Sequence, residues 1–187
     1  LSLVLVIPSI ACAGGFGETM DLAMRQYRDG AYGAAAATLQ EAALLARKKK
    51  ATSLSRFLPT PPTGWTARTE ADPAGNVVTP AVGVAVERAY TADAKTITVA
   101  IVTDSPLIDI VGVNFSRATY ARMRGQRAGG LQGVRSLIRY QAGRRAGEMD
   151  ILVNKRVLVV ARGAQVDEDD LVAFARRIDY EGLKRVP

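Results

Sequence analysis

The chain has 187 residues, a net charge of +7, 48% hydrophobic residues and only 6% aromatic residues. That length and apolar content support one domain with a core, or a small domain plus an appendage, and exclude a disordered chain. The scarcity of aromatics argues against a stacking platform for nucleic acid, and the charge favours anionic neighbours. There is no His, and the single Cys is Cys12.

Residues 1–17 combine an unbroken apolar run with the small-residue site Ala11-Cys12-Ala13 and Gly14. This matches the hydrophobic region and A-x-A cleavage site of a secretory signal peptide, so 1–13 is expected to be a signal remnant cleaved after Ala13, with the charged region upstream of Leu1 missing. Three alternatives stay open: a buried element of the folded domain, an uncleaved anchor, and lipidation at Cys12, since Ser9-Ile10-Ala11-Cys12 resembles a lipobox with Ser where Leu is usual. Pro8 weakens the reading as a strand. Cleavage would place the chain in the periplasm or outside the cell. Retention at Cys12, or of the anchor, would tether it to a membrane. No transmembrane helix is expected in the mature chain.

Residues 18–58 are rich in Ala and Leu and free of Pro, which predicts a helical hairpin with Gly30 between its arms. Met20, Ala23, Met24 and Tyr27 on the first arm, and Tyr32, Ala35, Leu39, Ala42, Ala43 and Ala46 on the second, recur at helical spacing and predict an apolar stripe. The segment Gly30-x-Tyr32-x2-Ala35-x3-Leu39-x2-Ala42 resembles half of a tetratricopeptide repeat. With no second copy, a hairpin packed on its own domain is favoured over a peptide-binding array. Arg47-Lys48-Lys49-Lys50 points all around a helix at about 100° per residue and reads as a solvated face rather than an anionic-surface contact. Residues 59–64, Pro-Thr-Pro-Pro-Thr-Gly, predict an extended linker.

From Trp65 to Pro187 the pattern is that of an α+β domain. Val82, Val84 and Val86, then Ile97, Val99 and Ile101, alternate with smaller or polar residues as in half-buried antiparallel strands. Ser105-Pro106 predicts a helix start, with Leu107, Ile108, Val111 and Phe115 on its apolar face. Arg117 to Gln132 reads as a long polar loop made flexible by Gly129-Gly130. Arg117, Arg122, Arg124 and Arg127 in it are candidates for binding an anion or partner, because the guanidinium captures carboxylate or phosphate through two hydrogen bonds, and long loops are often functional. The plain alternative is a mobile surface loop with solvated charges.

Residues 133–162 predict a meander. A turn centred on Arg144-Arg145 would oppose Tyr140 to Met149 and Ile138 to Ile151 on the core side, and Gln141 to Glu148 and Arg139 to Asp150 on the other. An Arg partner would keep Asp150 ionised, so Glu148 and Asp150 are read as structural rather than as an acid–base pair. Asn154-Lys155 is the next expected turn, and Val157–Ala161, apolar on both faces, should be a central strand. Asp167 should cap a final helix with Glu168, Asp169 and Asp170 in its first turn, a capping role favoured over a Ca²⁺ loop. Val166 and Leu171 can form a hydrophobic staple across that cap.

Without His there is no Ser–His or Cys–His nucleophile. The chain also contains no S-x-x-K, P-loop or G-x-G-x-x-G. No catalytic, cofactor-binding or metal residue is therefore assigned, and no cofactor is expected. The order of helical hairpin, Leu58-Pro59…Pro62-x-Gly64-Trp65, antiparallel strands, Asp104-Ser105-Pro106, the Ile151–Ala161 hairpin and an acidic-capped helix resembles a group of uncharacterised bacterial exported proteins. The part after Trp65 resembles the PsbP-like α+β sandwich. Neither resemblance brings a catalytic residue. The expected fold is a twisted antiparallel sheet of five or six strands with packed helices, preceded by a helical hairpin. The expected function is that of a non-catalytic periplasmic binding or accessory protein, with a protein or an anionic envelope surface as partner and no nucleic acid. The alternatives are an Arg-mediated binder of anionic lipid or glycan, and a His-free hydrolase.

Overall fold

A computed structural model describes residues 15–68, 83–116, 122 and 125–186. The chain forms two compact units, one up to Lys49 and one from Lys50 onward. The Pro-rich stretch 59–64 follows well after that boundary.

In the first unit, α1 (Phe16–Arg28) and the following part of α2 (Tyr32–Ser55) make the expected hairpin. Gly30 takes a φ of +75° between them, a conformation open to Gly at little steric cost. Thr38 Oγ1 donates to Gln26 Oε1 at 2.7 Å and ties the arms together. The expected stripe divides. Ala23, Ala35 and Ala42 are buried, whereas Met24, Tyr27, Tyr32 and Leu39 are exposed, as are Ala43 and Ala46.

Among the described residues, the second unit is an α+β arrangement built on one antiparallel sheet of seven strands, in the order β1-β2-β3-β7-β6-β5-β4. The strands are β1 (Thr66–Ala67), β2 (Val84–Ala92), β3 (Lys95–Thr103), β4 (Arg127–Leu131), β5 (Val134–Gln141), β6 (Ala146–Asn154) and β7 (Val157–Ala164). The count exceeds the expected five or six because both edges hold strands with weak sequence signals. β1 has two residues, and β4 is Arg-Ala-Gly-Gly-Leu, whose glycines read as a loop. Gly129 and Gly130 instead pair with Ser136 and Arg135. Gln132 and Gly133 both have positive φ, +48° and +77°, as a two-residue type I′ hairpin turn requires.

β7 is the central strand, as its apolar character on both faces predicts. Val157, Val159 and Ala161 face the larger core with Ile97, Val99, Ile101, Met149 and Ile151. Ala51, Leu54, Phe57 and Leu58, together with α4 (Glu168–Ala175) and α5 (Tyr180–Lys184), complete that core. Leu158 and Val160 point the other way, toward Ile108, Val111 and Phe115 of α3 (Leu107–Ser116) and Leu152. The sheet thus carries helices on both faces.

The β6–β7 turn falls on Lys155-Arg156, one residue later than expected, because Asn154 still pairs with Val157 and its Oδ1 accepts the Arg156 N–H at 2.8 Å. Gly83, at φ +84°, packs where an added Cβ would lie 2.2 Å from the Thr103 carbonyl oxygen, so only glycine fits there.

The start of α4 matches its sequence signals. Asp167 is the N-cap, its N–H donates to Asp170 Oδ2 at 3.0 Å, and Val166 and Leu171 are both fully buried. Lys95 Nζ also donates to Asp170 at 2.8 Å. Burial pushes the Asp170 carboxyl upward, but the bonds from Lys95 and the Asp167 N–H outweigh it and hold its pKa below 3.8. Asp170→Ala is expected to cost about 0.5–2 kcal/mol at neutral pH, the range for a lost cap. That cost should be full above pH 3.8, the unfolded value, and disappear as pH falls through the lower folded one. Urea titrations of the parent and variant across the acid range check this.

Candidate functional site

The sequence candidates separate in space. Arg117, Arg124 and Cys12 lie outside the described residues. Arg122 is exposed. Arg127 belongs to β4 rather than to a loop, and its guanidinium bonds to Glu168 Oε1 on α4. Arg127 is therefore engaged by an acid of its own chain.

The polar cluster that does form lies on the α3 side of the sheet. The β5–β6 register sets Arg139 opposite Glu148 and Leu137 opposite Asp150. This corrects the expected Arg139–Asp150 pairing by two residues. The cause is the turn: residues 142–144 form a 3-10 turn and Arg145 takes a left-handed φ of +45°, which moves the centre of the hairpin back by one residue. Parity is unchanged, so Ile138, Tyr140, Met149 and Ile151 keep the core side as expected.

Glu148 lies between two cations. Arg162 Nε donates to its Oε2 at 2.6 Å, and Arg139 Nη2 lies 3.6 Å from its Oε1. Beside them is a shallow groove of about 280 Å³ lined in part by Arg139, Glu148 and Arg162. Asp150, the next residue on that face of β6, is 9% exposed and has no direct ion pair among the described residues. Burial, reinforced by the Glu148 charge, raises its pKa from 3.8 to about 6 against the opposing pull of Arg162, Arg139 and the Gln126 amide. Gln126 Nε2 donates to Asp150 Oδ2 at 3.3 Å, while the buried Gln126 Oε1 finds no partner among the described residues. Asp150 is not among the residues lining the groove, so the carboxyl with the raised pKa and the open surface are separate. Sequence reasoning missed Gln126 because nothing in its neighbourhood marks it as buried.

A second polar centre forms at Asp104. Its Oδ1 accepts from Arg156 Nε and Nη2 at 3.0 and 2.7 Å, and its Oδ2 accepts from Lys50 at 2.5 Å. Burial acts upward on this carboxyl, and the two cations reverse that effect and hold its pKa below 3.8. Asp104 thereby joins the end of β3 to the β6–β7 turn and to Lys50 on α2.

On the hairpin, Tyr27 and Tyr32 meet edge to face with ring centroids 5.2 Å apart, yet remain 60% and 63% exposed. Met24, Leu39 and Leu44 are also exposed. Among the described residues, no three Asp, Glu or Cys side chains are grouped to hold a metal ion, and no helix is long and apolar enough to cross a membrane. No family model matches the chain, and no curated protein or solved structure is significantly similar to it.

Proposed function

We propose that the chain is an exported, non-catalytic binding or accessory protein of the bacterial envelope, and that its helical hairpin engages a protein partner. The observation that carries this reading is the exposed Tyr27–Tyr32 pair, with Met24 beside it on α1. A tyrosine pair brings large apolar area at small entropic cost and a polar tip, the combination favoured at interface centres. Asp21, Arg25, Arg28 and Asp29 supply charges of both signs on the same helix and its cap. A mixed polar rim around aromatic anchors suits a protein surface.

Export rests on the apolar segment 1–13 with its A-x-A site, and on the resemblance to bacterial exported proteins. Mass spectrometry of the mature N-terminus separates cleavage after Ala13 from retention at Cys12. The non-catalytic reading is supported by the absence of His and by Glu148 being held between two arginines.

Envelope extract passed over the immobilised chain is expected to yield a partner that stays bound at about 1 M salt, where charge-only contacts are screened within about 3 Å. Tyr27→Ala with Tyr32→Ala is expected to weaken that capture about thirtyfold or more, the loss from truncating an interface hot spot. Equal capture by the double variant, with unchanged helicity, would overturn the hairpin's role.

A further inference from the structure

Helix α3 carries exposed aliphatic residues on its outer side. Its sequence, Leu-Ile-Asp-Ile-Val-Gly-Val-Asn-Phe-Ser, has one charged residue, Asp109. Ile108 is buried against Leu152, Leu158 and Val160, which fixes the helix on the sheet. Ile110 and Val113, on its outer side, remain 66% and 46% exposed. Ile110 and Val113 are three residues apart, so they are neighbours on the outer side of the helix rather than scattered residues.

The surroundings indicate its chemistry. A groove of about 460 Å³ runs beside α3, with Val113, Ile108 and Leu152 among its lining and Arg135 and Lys155 as its cations. Arg135 is held in place, its guanidinium 5.8 Å from the Phe115 ring centroid and Nη1 donating to the Phe115 carbonyl at 3.4 Å. Lys155 is exposed at the β6–β7 turn. Asp109 is the one acid in that lining.

We propose that this face of α3 docks on an anionic lipid surface, with Ile110 and Val113 entering the boundary between headgroups and acyl chains, and with Arg135 and Lys155 meeting lipid phosphates. Exposed aliphatic residues need an apolar phase, whereas the cations that share the groove with Val113 need anions, and an anionic bilayer surface offers both. This attachment is separate from the hairpin and lies at the interface, without a spanning segment.

The test uses the full chain carrying Cys12→Ser and Ile110→Cys, labelled with an environment-sensitive fluorophore. Vesicles containing phosphatidylglycerol are expected to raise the emission several-fold with a blue shift, whereas phosphatidylcholine vesicles and inorganic phosphate leave it unchanged. The same label at Glu181→Cys should not respond. Lys155→Gln should weaken the Ile110 response about fivefold in lipid concentration, the share of one basic residue near such a surface, and Val113→Ser should weaken it further with unchanged secondary structure. Tyr27→Ala should leave it as in the parent. No response at Ile110 to anionic vesicles, an equal response to neutral ones, or a response to phosphate alone would each overturn the proposal.

Discussion

Phe174→Ala is expected to lower the unfolding free energy of the sheet unit by about 3–5 kcal/mol, the range for removing a buried aromatic. Phe174 is fully buried on α4. Its ring packs against Trp65 with centroids 4.9 Å apart at 80°, and against Tyr90 at 4.7 Å and 54°. Each such pair adds about 0.5–1.5 kcal/mol beyond area burial. The loss would also spread. Tyr90 donates its hydroxyl to the Pro59 carbonyl at 2.6 Å, so Phe174 supports the contact that anchors the Pro-rich stretch to β2. Against a total stability of about 5–15 kcal/mol this is a large fraction. Urea unfolding followed by circular dichroism measures it, and Phe174→Leu should restore most of the loss by refilling the volume. A loss under about 1 kcal/mol for the Ala variant would show that Phe174 is not a centre of the core.

Asp150→Asn is expected to stabilise the protein at neutral pH. The folded pKa of about 6 lies above the unfolded 3.8. Between those values the folded state holds the extra proton, so stability falls as pH rises through the window and stays reduced above it. The difference corresponds to about 3 kcal/mol, which is the upper limit of the gain from Asn. The gain should be present above pH 6 and absent below about pH 4. Asn can also donate to Gln126 Oε1, the buried oxygen without a partner among the described residues, while Gln126 Nε2 keeps its acceptor. Denaturant midpoints at the two pH values test this. A variant destabilised above pH 6 would mean that the ionised carboxylate makes a needed contact and would overturn the expectation.

Periodicity and capping chemistry are local, and where they set the outcome the reading from sequence matches the structure. The alternation at Ile97, Val99 and Ile101 places them in the core, and the doubly apolar Val157–Ala161 is the middle strand. The acidic start of α4 and its Val166–Leu171 staple follow from neighbours within five residues. The edge strands were not legible in this way. β4 has two glycines and little apolar content, and it is a strand because β5 offers it a ladder. Its one local sign, Gln132-Gly133 between Leu131 and Val134, is a weaker hairpin signature than Asn-Gly.

The candidate site shows the same division. The alternation along β5 and β6 assigns Arg139, Glu148 and Asp150 to one face, because a strand has a period of two. Which of them touch depends on register, and register depends on the turn at 142–145. A shift of two residues preserves every face and exchanges the partner of Arg139, turning Asp150 from an expected ion-pair member into a buried acid beside Gln126. The hairpin is similar: helical spacing identifies Met24, Tyr27, Tyr32 and Leu39 as apolar positions, but the packed arms bury Ala23, Ala35 and Ala42 and leave those four exposed.

By itself, the sequence determined the helical hairpin, the α+β class, the central strand and the acidic cap of α4, because each follows from composition or from interactions a few residues long; that a further short helix, α5, follows α4 was not foreseen. Only the tertiary structure decided the order of the seven strands among the described residues, the pairing of Glu148 with two arginines, the burial of Asp150 beside Gln126 and the exposure of Ile110 and Val113 on α3. Those depend on which strand supplies the ladder, how one turn sets the register and what remains uncovered once both faces of the sheet are packed.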